Sequence, residues 1–308
     1  MNKSLETSSS FEQEHNSRRD FFKTASAAGI GLGLVGAAAA VAASCTSASA
    51  ATDSIFSPVG TFKQKLANGG VVYGPFMKSL DASFMEITGY AGFDFAILDM
   101  EHGPAGFAEM QDLIRGATLG GLASFVRTYD SSEIAIARAL DLGASGIQVP
   151  HVKSPEDAQA VIRAAKFHPA GERGICRFVR AARYSSTPRN EYFEQANKTL
   201  VILQVEGQEA INSIDDILGV EGFDILFVGP YDLSQSLGIP GDVANPRVVS
   251  AITDIAERAR KAGVVTGVFA DTFEAAKRWK AAGIQYISYS TDVGIYTEAC
   301  KNILQNIS

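Results

Sequence analysis

The stretches Thr199-Leu200-Val201-Ile202-Leu203-Gln204-Val205-Glu206 and Phe223-Asp224-Ile225-Leu226-Phe227-Val228-Gly229-Pro230-Tyr231-Asp232 decide how this chain is read. Each is a short apolar run of the kind that forms a strand buried on both faces of a parallel sheet. Each ends in a carboxylate, and a helix-like stretch lies between them. A strand-end acid taken alone is equally well explained as a cap on the helix that follows. Two of them on neighbouring parallel strands place hard oxygen ligands side by side, which suits a divalent cation such as Mg²⁺ or Mn²⁺.

The same rhythm extends in both directions. Apolar runs recur at Val71–Met77, Phe95–Asp99, Ala123–Arg127, Gly146–Pro150, Leu200–Glu206, Ile225–Gly229, Val264–Ala270 and Tyr286–Ser290. Helical spacing fills most of the intervals, as in Ser131–Leu140, Pro155–Lys166 and Val248–Ala262. Asp81 is placed to cap the helix after the first strand, and Ser154-Pro155-Glu156 opens another. Eight strands, each followed by a helix, within about 250 residues predict an α/β fold of the (β/α)8 TIM-barrel type. An open doubly wound sheet would want a glycine-rich phosphate turn after an early strand, and no G-x-G-x-x-G occurs from Ala51 onward.

Phe167–Asn197 breaks the rhythm. It is long for a connection and carries Arg173, Arg177, Arg180, Arg183 and Arg189, so it is expected over the barrel mouth or in a subunit interface.

Of the 308 residues, 46% are hydrophobic and 20% charged, which indicates a soluble globular chain. A formal net charge of −7 without a Lys/Arg run leaves no electrostatic footprint for nucleic acid. Residues 1–50 stand apart from the fold. Ser17-Arg18-Arg19-Asp20-Phe21-Phe22-Lys23 precedes an uncharged Ala/Gly-rich stretch that ends in Ala48-Ser49-Ala50, the arrangement of a twin-arginine export signal. The expectation is a periplasmic protein with its mature domain at 51–308. Lipidation at Cys45 is a second processing route. Cys176 and Cys300 then remain, far apart in sequence and read as independent thiols.

On the barrel reading, polar residues gather at the carboxyl ends of the strands. They are Asp99-Met100-Glu101-His102 after the second, Arg127 at the third, and Pro150-His151 at the fourth. Gln204 and Glu206 follow at the fifth, with Asp232 and Ser234 beyond the sixth. Such one-ended enrichment marks the catalytic face of a barrel. For a 2-oxo acid substrate, a cation on Glu206 and Asp232 would polarise the carbonyl and favour the enolate formed when the neighbouring carbon–carbon bond breaks. Arg127 would add a forked positive charge for the carboxylate or enolate oxygen. His102 would move protons, with Asp99 fixing its imidazole. Ser234 and Gln204 are candidate substrate contacts. His151 could do the same proton work, whereas Glu101 is read as a surface residue facing away from substrate.

Asp99-x-Glu101-His102-Gly103-Pro104, Gly143-Ala144-x-Gly146-Ile147-x-Val149-Pro150, Arg173-Gly174, Gln204-x-Glu206 and Gly229-Pro230-x-Asp232-Leu233-Ser234 together resemble the HpcH/HpaI aldolase family. The resemblance implies a homo-oligomer, hexameric or trimeric, and reversible cleavage of 4-hydroxy-2-oxo acids to pyruvate and an aldehyde. It also implies metal binding by Glu206 and Asp232 (Mg²⁺, Mn²⁺ or Co²⁺) and enolate stabilisation by Arg127. His102 would transfer protons, supported by Asp99, and Gln204 would touch substrate. The chain departs from the family where many members carry a Trp near the end of the first strand; here the stretch is Tyr73-Gly74-Pro75-Phe76-Met77-Lys78. Decarboxylation of oxaloacetate and cleavage of a CoA ester, as in citrate lyase, use related chemistry. A non-catalytic exported carboxylate-binding protein is the reading from another class.

Overall fold

The computed structural model describes residues 58–308, so the export signal and Cys45 lie outside the described residues. Eight strands close a parallel barrel in sequence order: β1 (Val72–Met77), β2 (Phe95–Asp99), β3 (Ala123–Arg127), β4 (Gly146–Val149), β5 (Leu200–Val205), β6 (Ile225–Val228), β7 (Val265–Ala270) and β8 (Tyr286–Thr291). β8 pairs with β1 to complete the ring. The expected barrel is therefore observed, and six of the eight strands differ from expectation by a single residue at one end. Glu206 and Gly229 stand just beyond their strands rather than inside them.

Period-2 alternation in the strands explains where the site falls. Phe95 and Ile97 of β2, Ala123 and Phe125 of β3, Leu200 and Ile202 of β5, and Ile225 and Phe227 of β6 pack into one interior cluster. The next residues in these alternating series are Asp99, Arg127, Gln204 and then Glu206, and Gly229. The intervening residues, such as Leu98, Val126, Leu203 and Leu226, belong to a second core shared with the surrounding helices. Site residues are thus the inward-facing series carried past the apolar layers to the carboxyl rim.

Among the described helices are α1 (Pro58–Ala67), α2 (Ala82–Tyr90), α3 (Phe107–Leu119), α4 (Glu133–Asp141), α5 (Pro155–Ala165) and α6 (Arg189–Asn197). Asp81 caps α2 by accepting from the Ser83 N–H, and Ser154 caps α5 by accepting from the Asp157 N–H, as expected. The crossover after β5 is broken into α7 (Gln208–Asn212) and α8 (Ile214–Leu218). The chain continues through α9 (Pro230–Ser236), α10 (Pro246–Lys261), α11 (Phe273–Ala281) and α12 (Asp292–Ile307). α1 was not anticipated from the sequence. It inserts the buried Phe62 among Phe95, Phe125 and Tyr286, with ring centroids 5.2–6.1 Å apart, and so closes the amino end of the barrel.

The arginine-rich segment does not cover the mouth of its own barrel. Arg180 Nη1 donates to the carbonyls of Leu142 and Gly143, Arg173 pairs with Asp141 at 2.5 Å, and Lys166 donates to the Asn197 carbonyl. All these partners lie where α4 or α6 ends, or where β4 or β5 begins, at the amino end. The reason is topological. α5 finishes and β5 starts at that same end, so their connection has no cause to cross to the other side.

Candidate active site

β2 and β3 are in register, with Asp99 opposite Arg127. Neighbouring parallel strands are roughly 4.8 Å apart, so the two side chains meet directly. Arg127 donates from Nε to Asp99 Oδ1 (2.9 Å) and from Nη2 to Oδ2 (2.8 Å), a two-pronged pair. Lys78, just after β1, adds an Nζ bond of 2.9 Å to Asp99 Oδ2 and donates to the His102 carbonyl. Asp292, buried at the start of α12, fixes this corner by accepting from the N–H groups of Lys78 and Ser79. Burial alone would raise the Asp99 pKa. The hydrogen bonds and charge of Arg127, with help from Lys78, outweigh burial and hold it at about 2.

This corrects the expected role of Asp99. It orients Arg127 and not the His102 imidazole; from His102 only the main-chain N–H reaches it, as does that of Glu101. A planar fork satisfies both carboxylate oxygens together, which one imidazole nitrogen cannot do. His102 itself is exposed at the rim and lines the cavity.

Glu101 also departs from expectation. Its carboxylate is largely buried, forming an ion pair of 2.7 Å with Arg127 Nη1 that is off hydrogen-bond alignment. Its other oxygen meets His151 Nε2 at 2.9 Å. Asp99 Oδ1 accepts from the Glu101 main-chain N–H at 3.1 Å just after β2.

On the opposite wall, Gln148 donates to Gln204 Oε1, and Gln204 donates to Glu206 Oε2, both at 2.6 Å. The amides run as a one-way relay that fixes the Glu206 carboxylate. Asp232 stands exposed in the first turn of α9. The two acids flank Gly229: a Cβ there would lie 2.8 Å from Glu206 Oε2 and 3.8 Å from Asp232 Oδ2. Burial raises the Glu206 pKa, and the charges of Asp232 and Glu101 act in the same direction, against the Gln204 bond and His151. Carboxylates crowded in this way fit a hard divalent cation, whose charge relieves their repulsion. Glu101, His151 and Glu206 offer a further donor set, with one ligand atom from each lying within 4.8 Å of the others.

Ser234 is the second correction. It is fully buried, with Oγ donating to the Tyr231 carbonyl and accepting from the Gly241 N–H. It ties α9 to the loop after it and does not line the cavity. A helical position two residues past Asp232 points its side chain away from that carboxylate, which strand-based reading did not capture.

The cavity has a volume of about 280 Å³ and brings together Lys78, Asp99, His102, Arg127, Gln204 and Asp232. Its aromatic wall includes Phe76, over which the Arg127 guanidinium lies at 4.6 Å from the ring centre. A larger cavity of about 450 Å³ sits at the amino end, among Arg173, Arg180 and Tyr192. It contains no carboxylate pair and none of the rim residues. Lys78 is not among the residues the sequence pattern singles out. Its position one residue past β1 was the available signal.

A parallel barrel with acids and a carboxylate-held arginine at its carboxyl rim has the parts that a cation-dependent carbon–carbon lyase needs. The chain belongs to the HpcH/HpaI aldolase/citrate lyase family, whose profile matches residues 73–299. It is 33% identical over 232 residues to 2-dehydro-3,6-dideoxy-6-sulfogluconate aldolase of Pseudomonas putida, covering 75% of this chain and 90% of that protein. It is also 33% identical over 240 residues to 2-keto-3-deoxy-L-rhamnonate aldolase of Escherichia coli K12, covering 77% and 89%. The crystal structure of an HpcH/HpaI aldolase/citrate lyase family protein from Burkholderia cenocepacia J2315 superposes with a TM-score of 0.76 at 32% identity, covering 80% of this chain and 98% of that one.

Proposed function

We propose that this protein cleaves a 4-hydroxy-2-oxo acid to pyruvate and an aldehyde, with Mg²⁺, Mn²⁺ or Co²⁺ held by Glu206 and Asp232. The observation that carries this reading is the convergence of these two acids around Gly229, in the rim that also presents Arg127. A cation bound there supplies Lewis-acid polarisation of the 2-oxo group. Arg127, fixed in orientation by Asp99, places its guanidinium beside the substrate carboxylate and the developing enolate oxygen. Gln204 contacts substrate at the floor of the site while holding Glu206 in place.

In the cleavage direction the C4 hydroxyl loses its proton, the C3–C4 bond breaks, and its electron pair passes into the enolate of pyruvate. The aldehyde leaves, and protonation at C3 completes pyruvate. His102, at the rim and within the cavity lining, handles these protons directly or through water. The test is pyruvate release from a panel of 4-hydroxy-2-oxo acids and oxaloacetate, by protein stripped with a chelator and then given Mn²⁺ or Mg²⁺. Release from a 4-hydroxy-2-oxo acid restored by the cation supports the reading, whereas release from oxaloacetate alone favours a decarboxylase. No release from any substrate by folded, cation-loaded protein rejects it and favours a CoA-ester lyase. His102→Ala should lower turnover with cation affinity retained, and Asp232→Ala should weaken the cation itself.

The twin-arginine motif supports export to the periplasm, to be checked by fractionating cells that make the full chain and its Arg18→Lys/Arg19→Lys variant. Assembly into a trimer or hexamer is supported by α12. That helix buries only Asp292 yet exposes Ile295, Tyr296, Ile303, Leu304 and Ile307.

A further inference from the structure

We propose that His151 is a ligand of the cation held by Glu206, with Glu101 anchoring its second ring nitrogen. The inference rests on the cation-dependent reading above and extends it beyond two carboxylates. His151 Nδ1 lies 2.7 Å from Glu206 Oε1, and Nε2 lies 2.9 Å from Glu101 Oε1. Donors that share an octahedral ion at about 2.1 Å sit roughly 3 Å apart when adjacent. Nδ1 and the Glu206 oxygen stand at hydrogen-bond distance, and become neighbouring ligands when a cation displaces the proton between them to solvent. A carboxylate on the other nitrogen is what fixes the tautomer and ring orientation of a metal-binding imidazole.

The backbone serves the same arrangement. His151 has φ 61°, in the left-handed region, and its own N–H donates to Glu206 Oε1 at 3.1 Å. Main chain and side chain of one residue therefore wrap the same carboxylate. Glu101 continues the line of contacts to Arg127 Nη1. The coordinating imidazole and the Arg127 guanidinium are joined through a single acid.

The chemical consequence is selectivity. Oxygen donors alone suit Mg²⁺, whereas an imidazole moves preference toward Co²⁺ and Zn²⁺. The full-length protein, chelated and reloaded with Mn²⁺, should show the nitrogen coupling of a bound imidazole in pulsed electron paramagnetic resonance. His151→Asn should abolish that coupling; Asn tolerates the left-handed backbone, so the turn is kept. By isothermal titration the same variant should weaken Co²⁺ roughly tenfold or more and Mg²⁺ by less than about threefold. Wild-type protein that binds Mn²⁺ without nitrogen coupling overturns the assignment of His151 and leaves the two-carboxylate reading intact. So does coupling that survives His151→Asn, or equal losses for both ions. Wild-type protein that binds no Mn²⁺ overturns both.

Discussion

Asp99 shows how one buried residue sets the character of the site. Its carboxyl is held at about 2 against an ordinary value of 3.8, a shift that amounts to about 2 kcal/mol. Because the folded value is depressed, this stabilisation is fully present above about pH 4 and is lost as pH falls toward 2. Asp99→Asn should therefore be less stable than wild type by about 2 kcal/mol at pH 7, with the gap narrowing in denaturant titrations at successively lower pH. A constant gap across that window would assign the loss to packing instead. Gly229 carries a different constraint. Its backbone φ of −85° is ordinary, so only space excludes a side chain there. Gly229→Ala should displace the Glu206 carboxylate and weaken Mn²⁺ binding by roughly tenfold or more, with an unchanged circular dichroism spectrum. Retained affinity would show that Glu206 yields without loss.

At the scale of elements, α1 is the part on which the barrel floor depends. Phe62→Ala would leave a void among Phe95, Phe125 and Tyr286 and should cost roughly 3 kcal/mol in chemical denaturation. The strands were readable because a buried parallel strand is an unbroken apolar run, and every one was found. α1 was not readable, since its role depends on a barrel interior assembled from distant strands. The site divides along the same line. Asp99, Arg127, Gln204 and Glu206 follow from alternation along strands, and their placement on the rim was legible. Which acid pairs with which cation was not. Asp99 sits one strand away from Arg127 but three residues from His102, and sequence proximity pointed to the wrong partner. Ser234 lies on α9, where alternation along strands says nothing of which way a side chain points.

Over the whole molecule, the proposed cation binding would be linked to stability. A ligand that binds only the folded state at 100 times its dissociation constant stabilises by about 2.7 kcal/mol. Mn²⁺ should accordingly raise the melting temperature of chelated protein, and Asp232→Asn should remove that rise. Light scattering on the mature chain should give the mass of a trimer or hexamer. Ile303→Asp combined with Ile307→Asp on α12 should lower it, and an unchanged mass would place the interface elsewhere.

The long arginine-bearing connection lies at the amino end of the barrel, and this governs how the enzyme can be altered. Much of the mouth is formed by residues at strand termini or within a few positions after them, including Lys78, Asp99, Arg127 and Asp232. A laboratory search for new aldehyde acceptors therefore has little loop length to remodel there. It would proceed by exchanging aromatic wall residues such as Phe76 and Phe269, while insertions would be accommodated at the far end with catalysis untouched.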